Sequence, residues 1–270
     1  MNPASLAPAR LYRLHSPERA AQGESNRFSV ASSGGRSLSG EWQILEGPPA
    51  AELVDGADVE VLVISPALAG EPRWQHASER WLEAVGLHPV VSVRQNELQA
   101  TYRANRMVLI SPQPYSDSAV EAVVEFAYHE HELCEIESEI ARGWATVEAD
   151  VPLVYEINRA ASRENQEIGQ RVAHVLRLRI RHARSEPYLT GTPRRFSSTV
   201  IGLVEKLQEA THSAERAETA DGQIEVQEYV YELASQRLGE HRHARAGVII
   251  ELIIVALLAA EVILLLVRRG

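Results

Sequence analysis

The sequence predicts an α+β chain: a small α/β sheet domain, then a long-helix hairpin or bundle, then one carboxyl-terminal transmembrane helix. Three observations predict it. Between Trp42 and Pro114, short apolar runs are separated by turn residues, a strand pattern around one short helix. From 115 to 245, apolar residues recur every three or four positions, the period of an amphipathic helix. From 246 to 267, every residue is apolar or glycine except Glu251 and Glu261.

The first 40 residues carry five arginines, many Ser, Ala and Gly, and no apolar core of a secretory signal. Residues 1–41 therefore read as a disordered tail, with an organelle transit peptide as the alternative. In the sheet domain (42–114), DVEVLVIS at 58–65 reads as a strand buried on both faces. WQHASERWLEAVG (74–86) reads as an amphipathic helix. HPVVSVR (88–94), ELQATYR (97–103) and RMVLISP (106–112) read as further strands, with turns at Asn96 and Asn105. A sheet of four strands results.

The helical domain (115–245) opens with a capping box, Ser118 with Glu121. Ala119, Val123, Phe126, Leu133, Ile136 and Ile140 then form the apolar stripe. A second helix covers 158–184, and EPYLTGTPRRF (186–196) breaks it with two prolines and a glycine. A third runs from 197 to 218. Asp221-Gly222 marks a tight turn, and the last helix starts near Gln223.

The terminal run of 22 residues rises roughly 33 Å as a helix, against a bilayer core of about 30 Å. Arg242 and Arg245 precede it; Arg268 and Arg269 follow it, all placed to reach headgroups. His241 and His243 join the first pair in a cationic patch facing anionic lipid. With three residues after the run and no signal peptide, the expected topology is a tail anchor in the cytoplasmic (inner) membrane, single-pass, with the soluble part in the cytoplasm. A carboxylate at mid-bilayer costs about 2.5–3.5 kcal/mol. Glu251 and Glu261, with 254 and 258, follow the 3-4-3 spacing of a helix seam. Ala256 and Ala260 add a small-xxx-small pair that permits close helix contact. The expectation is a homo-oligomer. A water-filled path lined by Glu261 is the alternative.

The formal net charge of −10 and pI near 5.5 argue against a general nucleic-acid binder. Cys134, alone, forms no internal disulfide, which suits a reducing compartment. Glu135 and Glu137 beside it disfavour a thiolate, so it reads as a small apolar residue. Lys206 is the one lysine, a skew that fits a GC-rich bacterial genome.

Phosphate-cradling, nucleophile-elbow and zinc-protease motifs are missing from the sequence. The strongest chemical cluster is YHEHELCEIESE (128–139). His129 with Glu132, and His131 with Glu135, meet the spacing that two ligands on one helix need, and Glu121, Glu125, His129 and Glu132 align. The plainer reading is an acidic, solvated face. RLRIRHAR (177–184) is a basic stretch suited to an acidic partner, lipid headgroups or phosphates; its plainer reading is pairing with the acidic helix 118–142.

The tail stretch from Ile250 to Val262 resembles the ending of the required-for-meiotic-nuclear-division family, L-E-W-I-I-I-x-L-I-x-x-E-V. Glu251 and Glu261 match both acids and their spacing, while Leu252 stands where that family has tryptophan. The resemblance covers roughly residues 120–267. It implies an α/β amino-terminal domain, a helical hairpin and an oligomerising membrane tail. Eukaryotic members of that family are inner mitochondrial membrane proteins linked to organelle gene expression. It carries over no catalytic residue. The expected function is a membrane-anchored, homo-oligomeric scaffold or adaptor for protein partners, with no cofactor and no catalytic site. The alternatives are ion or proton conduction through Glu261, and a metal-dependent enzyme using His129, His131 and Glu132.

Overall fold

The structure is a computed structural model that describes residues 8–14, 26–31, 37–49, 58–85, 88–112, 116–155, 161–191 and 195–269. Seven strands lie in its sheet: β1 (Ala9–Leu14), β2 (Asn26–Ala31), β3 (Ser37–Leu45), β4 (Val59–Ile64), β5 (Val91–Gln95), β6 (Leu98–Arg103) and β7 (Arg106–Ile110). Their order is β2-β3-β1-β4-β7-β6-β5. The β4–β7 pair is parallel and the other pairs are antiparallel. The helices are α1 (Pro66–Ala69), α2 (Pro72–Glu83), α3 (Ser116–Asp150), α4 (Pro152–Tyr155), α5 (Ala161–Leu189), α6 (Ser198–Thr211) and α7 (Ser213–Arg269).

The chain divides into two compact units. The first holds 1–138 and 180–221; the second holds 139–179 and 222–270. In the first unit the sheet is covered on both faces, which is why all six residues of β4 are buried. Val59, Val61 and Val63 pack in one core with Val123 and Phe126 of α3 and Leu203 of α6. Leu62 and Ile64 face the other core, with Trp74, Trp81 and Leu82 of α2. Each such aliphatic side chain contributes about 1.5–3 kcal/mol by burial. Tight turns join β5 to β6 at Asn96 (φ 54°) and β6 to β7 at Ala104 (φ 55°).

A charged cluster is buried in this unit. Arg106, fully buried, donates from Nε to Glu60 Oε2 at 2.9 Å and from Nη1 to the Trp81 carbonyl at 2.7 Å. Its guanidinium lies 4.7 Å from the centre of a Trp81 ring. Arg13 donates to the other Glu60 oxygen at 3.1 Å. A buried carboxylate with two cations is tolerable where an unpaired one is not.

The second unit is helical. Val154, Ile168 and Ala234 form its small core, with Leu153, Val172, Val230 and Leu233 against it. Asp150, buried, pairs with Arg171 and accepts a hydrogen bond from the Tyr231 hydroxyl at 3.3 Å.

Several expectations are corrected. Residues 1–41 do not form a disordered tail where they are described: β1, β2 and most of β3 lie there. The four-strand sheet is therefore a seven-strand sheet. Arg10 and Arg13 hid the strand pattern of β1. In the fold Arg10 lies over the Trp42 ring at 5.1 Å and Arg13 pairs with Glu60, partners that are distant in sequence. The expected turn at Asp221-Gly222 is helix. The chain breaks earlier, at His212, whose left-handed backbone (φ 54°) caps α6 by donating its N–H to the Gln208 and Glu209 carbonyls. The compact units also cut across the expected boundary near 114, because parts of α5, α6 and α7 belong with the sheet.

The expected fold class included a transmembrane helix, and this is overturned together with the tail anchor, the single-pass topology and the inner-membrane location. Among the described residues, no helix is long and apolar enough to cross a membrane. Glu251 and Glu261 interrupt the apolar stretch of α7.

Candidate functional site

The polar face of α3 was the first place where chemistry was expected. The helix carries Glu121, Glu125, His129 and Glu132 along one line, but the four do not share one partner. Arg195 donates to both Glu121 and Glu125 at 3.0 Å. Glu132 accepts from Arg181 Nε at 3.2 Å, so one arginine of the 177–184 stretch pairs with α3 as anticipated. Arg179 goes instead to Glu228 at 3.2 Å. His182 donates from Nε2 to the Ala217 carbonyl at 2.9 Å.

His129 is an interior residue. Its ring stacks on Tyr188 with centroids 4.0 Å apart, and Nδ1 lies 3.3 Å from the Ser185 hydroxyl. Burial pushes its pKa down to about 3, so the ring is neutral. Glu125 is buried beside it, one helical turn earlier. Burial raises its pKa to about 7, against the opposing pull of Arg195. Among the described residues, His129 Nε2 and Glu125 Oε1 have no hydrogen-bond partner. His131 and Glu132 do not join His129 in a coordination sphere: among the described residues, no group of three His, Cys, Asp or Glu is placed to hold a metal ion.

Further along α3, Cys134 belongs to a network that ties the start of α7 to α3. Arg216 pairs with buried Glu130, grips Glu137 with Nε at 2.9 Å and Nη2 at 2.6 Å, and points Nη2 at Cys134 Sγ at 3.2 Å. Ser213 donates to Glu130 at 2.7 Å. Burial first, then the Glu130 charge, raises the thiol pKa despite Arg216. The thiol is held protonated, which suits a structural role.

The carboxyl-terminal stretch of α7 has a different character. Val248, Ile249, Ile250, Leu252, Ile253 and Ile254 are each more than half exposed, and Val255, Leu257 and Leu258 continue the run. A helix that is apolar all round is normally buried. At 100° per residue, Glu251, Ile254, Leu258 and Glu261 cluster on one side, and Ala256 and Ala260 fall on the opposite side. The stretch therefore offers two contact faces, one acid-bearing and one of small residues. The side chains of Arg242, Arg245, Arg268, Arg269, His241 and His243 lie outside the described residues, so the expected basic patch does too.

Sequence reasoning missed one feature, a cleft of about 800 Å³ within the second unit. Arg142, Gly143 and Thr146 of α3 lie on it, as do Arg171 and His174 of α5 and Gln227 of α7. Glu139, Arg142, Gly143 and Thr146, spaced i, i+3, i+4, i+7 on α3, were a usable signal, but nothing in the sequence says that the faces converge.

No family model matches the chain, and no curated protein matches it.

Proposed function

We propose that the chain is a non-catalytic assembly protein that self-associates through the apolar stretch of α7 and presents its folded sheet unit to protein partners. One observation carries this reading: the exposed apolar run from Val248 to Leu258, broken only by Glu251. Exposed apolar area of this extent is a liability in water unless another surface covers it. A second copy supplies a surface of the same composition. The seam spacing of the acid-bearing face and the small residues of the other face each suit helix–helix contact. Because the faces are opposed, one helix contacts two neighbours, and the assembly exceeds a dimer. Glu251 and Glu261 are hydrogen-bonded across the seam and set its register.

Light scattering on the full chain at tens of micromolar tests this. The expected mass is three or more times the 29.9 kDa of one chain. Leu258→Arg and Ala256→Arg, one on each face, should each lower it. A monomer, an oligomer indifferent to both changes, or a monomer that floats with phosphatidylglycerol vesicles would falsify the reading.

A further inference from the structure

The two acids of the α7 stretch have no ion-pair partner on their own helix. Every residue three or four positions from Glu251 or Glu261 is apolar or glycine. Every residue from 246 to 261 is exposed, so among the described residues no other element covers the stretch or brings a charged group to face either acid. Between 246 and 267 the two glutamates are also the only polar side chains. What faces them on self-association, the reading on which this inference rests, is therefore set by the register of the copies.

The midpoint between the acids is position 256, and the midpoint of the run 246–267 lies within one residue of it. Full overlap of two runs thus sets each glutamate beside its own equivalent when the helices are parallel. When they are antiparallel, it sets Glu251 beside Glu261. Both orientations place acid against acid. Sliding the copies until the position of Arg245 or Arg268 faced an acid would withdraw at least six residues of each run from contact. The burial that drives association therefore favours the acid-to-acid register. Two carboxylates in one apolar contact do not both stay ionised, and two ionised ones have no hydrogen to share. One proton between them removes the repulsion and supplies the hydrogen bond across the seam.

We propose that self-association through α7 is proton-coupled: each glutamate–glutamate contact in the acid-bearing seam forms with uptake of a proton, so that assembly tightens as pH falls. The assembled state holds more protons than the separate chains, and linkage then gives up to tenfold in affinity per pH unit for each proton taken up. The opposite face, with Ala256 and Ala260, has no titratable side chain within the run and does not share this dependence. The two faces of one helix thus answer differently to the same change of pH.

Sedimentation velocity of the full chain over a concentration series, at pH 8.5 and 6.5, tests the coupling. Salt at 0.5 M screens the general repulsion between chains of net charge −10 and leaves a buried pair little changed. The wild type should associate about tenfold or more tightly at pH 6.5 than at 8.5. The double variant Glu251→Gln with Glu261→Gln should associate equally at both, because amides hydrogen-bond to each other without an added proton. An oligomer equally tight at both pH values overturns the coupling and leaves self-association standing. A double variant as pH-dependent as the wild type also overturns it, since the protons then go elsewhere. A chain that is monomeric at both pH values overturns the coupling and the self-association together.

Discussion

The two units treat their apolar side chains differently. In the sheet unit, Val59, Val61, Leu62, Leu98, Met107 and Leu109 are completely buried, and α2, α3 and α6 cover both faces. Its large exposed apolar residues are scattered: Ile44, Val90 and Ile180 among the described ones. The helical unit also buries apolar residues, Ile140, Leu178, Ile224 and Ala234 among them, yet it exposes Tyr155, Leu176, Tyr229 and the run from Val248. A scattered exposed leucine or isoleucine needs no explanation; a contiguous one does. Among the described residues, the sheet unit covers its own apolar surface, and the helical unit leaves a run of it exposed.

The largest test of that contrast removes the buried cation of the sheet unit. Arg106→Ala leaves Glu60 with Arg13 alone at the end of a buried pair and should cost about 3–5 kcal/mol. Denaturant unfolding followed by tryptophan fluorescence reads it, since Trp81 stacks on the lost group. A loss below about 1 kcal/mol means the sheet unit does not depend on this cluster.

The next test is pH. Between the ordinary carboxyl value and about 7, folded Glu125 holds a proton that the unfolded chain lacks. Its contribution is full at low pH and is lost as pH rises through 7. His129 works in the other direction. Between about 3 and its ordinary value near 6.5, the unfolded chain binds a proton that the folded one refuses, so stability is lost as pH falls. The two nearly cancel between about pH 4.5 and 6.5. Glu125→Gln removes one side of the balance. From pH 6.5 to 5.5 the variant should lose about 1 kcal/mol of stability, while this pair leaves the wild type nearly flat. Equal slopes in urea titrations of the two proteins would count against the buried pair.

Smaller effects sharpen the helical unit. Tyr231→Phe removes the hydroxyl bond to Asp150 and should cost about 1 kcal/mol, confined to amides of that unit in hydrogen exchange. A cost spread evenly over the sheet would mean that the units unfold as one. Gly222→Ala should raise stability by about 0.5–1 kcal/mol, because no atom lies within 4 Å of the added methyl and the site is helical. A destabilised variant would restore the turn that the sequence suggested there.

Strands and helices whose apolar period is their own were legible in the sequence. β4, α2, β6, β7 and the stripe of α3 from Ala119 to Ile140 all lie where periodicity put them. β1 was not legible, because its two arginines are neutral to the pattern only when Glu60 and Trp42 are beside them. The end of α6 was not legible either: His212 in a left-handed cap is rarer than glycine, and Asp221-Gly222 nearby gave the stronger turn signal. Of the candidate site, the acids of α7 were visible as a spacing. The expected membrane crossing was read from length and composition together; among the described residues no helix is long and apolar enough for it. Spacing on α3 placed His129 near acids correctly, yet whether a histidine faces inward depends on α5, where Ser185 and Tyr188 wait for it.

Lys206, alone of its kind in the sequence, lies exposed on α6 and donates to the Arg94 carbonyl at 2.9 Å. The chain therefore has one side-chain amine. A product that joins two lysine side chains therefore joins two copies of the chain. A dye placed on that side chain marks each copy once, on the sheet unit, and counting such dyes in a single particle counts subunits.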